Sequence, residues 1–177
     1  MTAPVIDPRL QALEELRWHV GNSPLHKMLR LSPKPGVEIH AKLEWQQFGG
    51  SVKARPAFNI IHDAVVSGAL RGKRLLDASS GNTGIAYAIF CAAAGIPVTL
   101  CLPENASMER KHILRALGVD LILTSPLEGT DGAQALARDI VRKEPNKYCY
   151  VDQYGNEANW KSHYYGTGLE IWHETGG

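Results

Sequence analysis

The sequence carries no surplus of either charge. Nineteen Lys+Arg residues face 18 Asp+Glu, a formal net charge of +1. A balance this close leaves no whole-chain attraction to nucleic acid or to an anionic membrane, and neither is expected as a partner. Cysteine is scarce: Cys91, Cys101 and Cys149 are too few and too odd in number for a disulfide framework. They read as reduced, buried thiols of a cytoplasmic protein. No apolar run reaches the roughly 20 residues of a membrane span. The uncharged stretch between Asp77 and Glu104 is split by Gly95 and Pro97 and opens on the polar segment Ser79–Gly84. Met1–Gln11 has no basic cap followed by an apolar core, so no leader peptide is expected. No Cys-x-x-Cys or His-x-x-x-His occurs, and His112 and His163 lack a partner at ligand spacing, so no metal site is expected. Ser79 and Ser80 sit in no Gly-x-Ser-x-Gly elbow, which argues against a hydrolase triad.

What is present is the composition of a folded protein, 44% hydrophobic and 21% charged. From Val37 onward short apolar runs alternate with longer helical stretches. Val37–Trp45 alternates like a half-buried strand, and Ala57–Leu70 carries helical spacing that ends near Gly68, with Pro56 in the first turn. Strands are predicted at Arg74–Ala78, Pro97–Leu102, Val119–Leu123 and Tyr148–Val151. Helices are predicted at Thr83–Ala94, from an N-cap at Ser107 to Leu117, from a capping box at Asp131 and Gln134 to Lys143, and over most of Glu157–His173. Trp160, Tyr164, Tyr165 and Trp172 fall near one helical stripe and read as packing. This repetition implies an α/β fold, a parallel sheet between layers of helices. Such sheets bind ligands beyond the carboxyl ends of their strands. The loops at Gly49–Lys53, Ser79–Gly84, Pro103–Ser107 and Asp152–Asn156 therefore carry the function.

Three of these loops hold chemistry. Ser79-Ser80-Gly81-Asn82-Thr83-Gly84 joins a strand to a helix. A helix N-terminus offers free N–H groups, the hydroxyls add donors, and glycine admits a ligand to the backbone, which suits a carboxylate or phosphate. The same residues also suit a plain helix cap and tight turn. Lys53 stands before a helix, behind Gly49 and Gly50. A lysine amine becomes a nucleophile where desolvation or a helix N-terminus disfavours its proton. Taken alone, Lys53 reads first as a solvated surface charge, Arg55 as one half of an ion pair, and Gln153 as part of an ordinary polar loop.

The segments together carry more than any one of them. Gly21-Asn22-Ser23-Pro24-Leu25, Lys42-Leu43-Glu44, Gly50-Ser51-Val52-Lys53 and Ser80-Gly81-Asn82-Thr83-Gly84 follow in order. Pro103-Glu104-Asn105 with Ser107, Glu109 and Arg110 comes next, then Gln153-Tyr154-Gly155-Asn156 with Ala158-Asn159. From about Gly21 to its end the chain resembles the cysteine synthase branch of the fold-type II pyridoxal-phosphate enzymes, which includes O-acetylserine sulfhydrylase and cystathionine β-synthase. Tyr154–Gly168 looks most like the bacterial second-isozyme group.

The resemblance implies a three-layer αβα fold and a β-replacement. Cysteine would form from O-acetylserine or O-phosphoserine and a sulfur donor, by β-elimination and then addition of the sulfur nucleophile. Lys53 would hold pyridoxal 5′-phosphate as a Schiff base and later remove the substrate α-proton. Asn82 would bond the cofactor's 3′-oxygen. Ser79, Ser80, Gly81, Asn82 and Thr83, with Gln153, would bind the substrate. A homodimer is implied for the full-length protein. The implied division is an arm over residues 1–36 that packs on the second domain, an α/β domain over 37–147, and the start of a second domain over 148–177. Two departures from the family stand out. Ala54 replaces a residue that is usually acidic. The chain also reaches Gly177 before the glycine- and threonine-rich loop that cups the cofactor phosphate in the family, so it reads as about half of the whole. The helix around Trp160–Trp172 is then expected to expose aromatic surface and to promote self-association. The alternative expectation is a short, catalytically incompetent homologue that acts as a binding or regulatory partner.

Overall fold

The computed structural model describes residues 7–31 and 34–177; residues 1–6 and 32–33 of the expected arm and leader region lie outside them. Helix α1 (Pro8–Arg17) is capped by Asp7, whose carboxylate accepts from the Arg9 amide, and it packs on α2 through the fully buried Leu13. Strands β1 (Leu25–Lys27) and β2 (His40–Lys42) form a small antiparallel pair. The predicted strand over Val37–Trp45 shrinks to β2. The backbone leaves the extended region at Leu43 and makes a 3-10 turn at Glu44–Gln46, which carries Glu44 to Arg55.

The main sheet has four parallel strands in the order β5-β4-β3-β6: β3 (Arg74–Ala78), β4 (Val98–Pro103), β5 (Asp120–Thr124) and β6 (Tyr148–Tyr150). Residues on β3 and β4 alternate between two buried faces, as parallel strands covered on both sides must. Leu75, Val98, Leu100 and Leu102 join a core with α1, α2 (Ala54–Val66), α3 (Asn82–Ala93) and α4 (Met108–Ala116). Leu76, Ala78 and Cys101 join a second core under α5 (Gly129–Lys143). The fold is the expected three-layer α/β arrangement. From β3 the chain steps to β4 and β5, then returns across the sheet to lay β6 on the other edge of β3. That reversal brings the loops after β3 and β6 side by side, the place where open α/β sheets form a crevice.

Two sequence readings change here. No capping box at Asp131 and Gln134 starts α5. The helix begins at Gly129, Asp131 lies within its first turn, and Glu128 folds over Gly132, where a Cβ would sit 2.5 Å from the Glu128 side chain. The aromatic stripe is not a packed face. After α6 (Glu157–Ser162) one π turn (His163–Thr167) shifts the phase before α7 (Gly168–Thr175), and the inward position goes to buried Ser162. Trp160, Tyr164, Tyr165 and Trp172 stay 52–66% exposed, and Tyr164 meets Trp160 and Tyr165 edge-on.

Candidate active site

A cavity of about 570 Å³ opens beyond the carboxyl ends of β3 and β6. That size suits a small molecule or cofactor. All seven candidate site residues lie on it: Lys53, the segment Ser79–Thr83 and Gln153.

Lys53 enters from the start of α2. Its amide donates to Ser51 Oγ at 3.3 Å and its carbonyl accepts from Ala57 N. Two left-handed residues, Gly49 (φ 72°) and Gly50 (φ 67°), turn the chain just before it. Residues with a Cβ adopt that conformation only with strain. The lysine side chain is exposed to the cavity and has no hydrogen-bond or ion-pair partner among the described residues. Ala54, at the position usually acidic in the resembled family, is fully buried in the main core.

The Ser79–Thr83 segment is shaped by its own hydrogen bonds. Ser79 Oγ accepts from Gly84 N at 3.0 Å and from Gly81 N at 3.4 Å, so this hydroxyl secures the turn while bordering the cavity. Gly84 is required for close approach: a Cβ there would stand 2.9 Å from Leu100 Cδ1 and 3.2 Å from Ser79 O. Gly81 occupies the N-cap position of α3 and has no side chain to cap it, and Ser79 Oγ takes only the Gly84 amide of the first turn. The first turn, whose Asn82 and Thr83 amides that bond leaves out, lines the cavity, a setting that favours a carboxylate or phosphate.

Gln153 closes the opposite side. Its Nε2 donates to Ala78 O at 2.9 Å, its backbone N–H donates to Asp77 Oδ2 at 3.1 Å, and its carbonyl accepts from Asn159 Nδ2 at 2.7 Å. One side-chain donor is thereby committed to the sheet, which fixes the amide's orientation.

The structure adds residues that sequence reasoning did not assign to the site. Arg110, Thr130, Tyr154 and Asn159 also border the cavity. Arg110 comes from the first turn of α4, capped by Ser107, and its Nη1 reaches Ser80 O at 3.4 Å. The helical spacing from Ser107 could have pointed to it, because the third residue after an N-cap stays at the strand-end side of the sheet. Thr130 carried no sequence signal. His163 lies close enough to feel the site's cations. Burial, then the charges of Lys53 and Arg55, hold its imidazole below the usual histidine range, and Nδ1 contacts Thr167 Oγ1 at 3.0 Å. Arg55, two residues past Lys53, is no part of the cavity. It is buried against Glu44 and Glu170 with N–O distances of 2.6–2.9 Å. Among the described residues no group of His, Cys, Asp and Glu side chains could hold a metal ion, and no helix is long and apolar enough to cross a membrane.

A cofactor test follows from these groups. An unpartnered lysine amine, an asparagine amide and the N-terminal turn of a helix share one cavity, and they fit a carbonyl-bearing heterocycle together with an amino-acid carboxylate.

Comparison with known proteins points the same way. A family profile described as "Pyridoxal-phosphate dependent enzyme" matches residues 16–177. A cysteine synthase of Aquifex aeolicus is 51% identical over 175 residues, 97% of this chain and 54% of its own length. The crystal structure of a cysteine synthase from Entamoeba histolytica superimposes with a TM-score of 0.84 at 36% identity, over 94% of this chain and 49% of that one. A hydrogen sulfide-producing enzyme from Fusobacterium nucleatum gives a TM-score of 0.84 at 32% identity, over 93% of this chain and 49% of its own. The chain spans about half the length of the relatives it matches.

Proposed function

This chain belongs to the pyridoxal-phosphate-dependent enzyme family, and on that premise we propose that it carries the lysine-bearing half of a cysteine synthase. The reaction is a β-replacement that forms L-cysteine, or a related β-substituted alanine, from O-acetylserine or O-phosphoserine and a sulfur nucleophile. The observation that carries this reading is that an unpartnered Lys53, the N-terminal turn of α3 and a fixed glutamine line the same cavity.

In this reading Lys53 Nζ would hold pyridoxal 5′-phosphate and would later take the proton from the substrate Cα. Asn82 orients the cofactor through its 3′-oxygen. Ser79, Ser80, Gly81, Asn82 and Thr83, with Gln153, receive the substrate, and its carboxylate lies against the positive end of α3. When bound, the cofactor supplies the electron sink that makes loss of the α-proton accessible. The contact of Arg110 with the Ser80 carbonyl keeps a cation at the same cavity, and this supports an anionic leaving group such as phosphate beside acetate. The division into an arm over 1–36, an α/β domain over 37–147 and a second domain starting at 148 belongs to the same proposal. So do the homodimer and the cytoplasmic setting, the last supported by three unpaired cysteines that are buried or half-buried.

The test is spectroscopic. Wild-type protein reconstituted with pyridoxal phosphate should turn yellow, and Lys53→Ala should lose that absorption while remaining folded by circular dichroism. A colourless wild type, or colour that survives in Lys53→Ala, overturns the reading.

A further inference from the structure

Asp77 is the only charged residue between Arg74 and Glu104, and it is fully buried. It forms no ion pair among the described residues; it is held by backbone amides instead. Oδ1 accepts from Ala78 N at 2.8 Å and Oδ2 from Gln153 N at 3.1 Å. We propose that Asp77 is a positioning residue: its carboxylate pins the start of the Gln153 loop to the end of β3 and so sets where the Gln153 amide meets the Ser79–Thr83 segment. The functional consequence rests on the reading of that cavity given above.

Three observations carry the proposal. An unpaired carboxylate in a core is costly, and here its oxygens take the amide of the next residue, Ala78 at the end of β3, and the amide of Gln153, 76 residues on, at the cavity. The link acts on the Gln153 backbone, beside the side-chain bond from Nε2 to Ala78 O, and it holds a strained approach: Asp152 adopts φ 45°, a region a non-glycine residue enters only at a cost. The groups around the carboxylate offer no substitute donor of charge. Tyr87 from α3, Cys101 from β4, Tyr150 from β6 and Tyr154 beyond it are all held above their usual ranges and stay protonated, and Asp152 adds a like charge. The buried Tyr87 hydroxyl lies beside Asp77 without reaching hydrogen-bond geometry with any described residue.

This arrangement sets fold stability against positioning. Burial pushes the Asp77 carboxyl up to about 7, against the pull of the Ala78 and Gln153 amides. Because that lies above the value in an unfolded chain, the stability contributed by this group is fully present in acid and is lost as pH rises toward 7. The junction behaves in the opposite sense. It is intact above about 7 and loses an acceptor when the proton binds. A residue with a structural role alone would move both properties together.

The test uses isotope-labelled protein between pH 5.5 and 9. The Ala78 and Gln153 amide resonances should titrate with one shared midpoint and should be flat in Asp77→Asn. In the cofactor-loaded protein the affinity for the amino-acid substrate should fall on the order of tenfold as pH drops through that midpoint, and Asp77→Asn should hold the weak value at all pH. Asp77→Glu, which restores the carboxylate, should regain a pH-dependent affinity. If the wild type takes up cofactor but its two amides do not titrate together, or if Asp77→Asn binds substrate as the wild type does, this proposal falls alone. A wild type that takes up no cofactor overturns the functional reading, and this inference with it.

Discussion

Lys53 and Arg55 are cations two residues apart at the start of one helix, and the fold treats them in opposite ways. Arg55 is 3% exposed and spends its guanidinium on two carboxylates: Nε and Nη2 reach Glu44, and Nη1 and Nη2 reach Glu170 at 2.6 and 2.7 Å. Ser23 and Lys42 complete the network, which ties α7 to the segment before β1 and to β2. Lys53 receives no such partner. The difference comes from the turn at Gly49–Gly50, which sends position 53 to the cavity side, and from helical rotation, which carries position 55 to the back of α2. A cation that only holds the fold together is neutralised locally. One left without a counter-charge at a cavity is free to take its partner from a ligand.

Removing each in turn should break that comparison most sharply. Arg55→Met leaves Glu44 without a counter-charge and Glu170 with Lys42 alone, and about 3–5 kcal/mol of stability should be lost. Lys53→Met should change stability by no more than about 0.5 kcal/mol, because nothing in the fold leans on its amine. Urea unfolding of both variants reads the contrast. Equal losses would show that Lys53 also has a structural task.

Acid should loosen the Arg55 side. Burial raises the Glu170 carboxyl, but Arg55, the Asn22 amide and Lys42 more than offset it and hold it at about 2. Glu44 is also held low: burial raises it, and Arg55 and Ser23 outweigh that. Carboxyls depressed in this way contribute stability that is present above their ordinary range near 4.5 and is lost as pH falls from there toward about 2. Wild-type thermal stability should therefore drop through that window, and the drop should shrink in Glu170→Gln. A profile that is unchanged by the substitution would place the acid sensitivity elsewhere.

The parts of this site that could be read from the sequence are those written in local rules. Ser79–Gly84 follows a short apolar strand and precedes an alanine-rich helix, so turn chemistry and periodicity agree there, and α3 starts within one residue of expectation. Arg55 as half of an ion pair was legible as a type of interaction, but its partner Glu170 lies 115 residues away. No local pattern encodes that distance. The strand expected over Val37–Trp45 failed because alternation does not reveal that Glu44 is needed elsewhere. The aromatic stripe failed because a single π turn at His163–Thr167 resets the helical phase. Asp77 is a legible signal in its own right: one acid among the apolar residues Leu75, Leu76 and Ala78 is tolerable only if it is buried with bonds.

Arg110 extends the comparison to a third cation, and its effect should be the smallest. Like Lys53 it borders the cavity and forms no ion pair among the described residues; its one side-chain bond is a long one, 3.4 Å to the Ser80 carbonyl. O-phosphoserine brings a doubly charged phosphate to that place, whereas the acetyl ester of O-acetylserine is neutral until it departs as singly charged acetate. Arg110→Met should therefore weaken use of O-phosphoserine about tenfold, the scale of one charge-assisted hydrogen bond at a partly solvated site. It should leave O-acetylserine within about twofold and the melting temperature unchanged. The ratio of kcat/KM values for the two substrates is the quantity to follow, because a variant that merely loosened the Ser80 turn would lower both together. If the ratio holds while both values fall, Arg110 belongs with Arg55 as a cation of the fold. If the ratio alone moves, it belongs with Lys53.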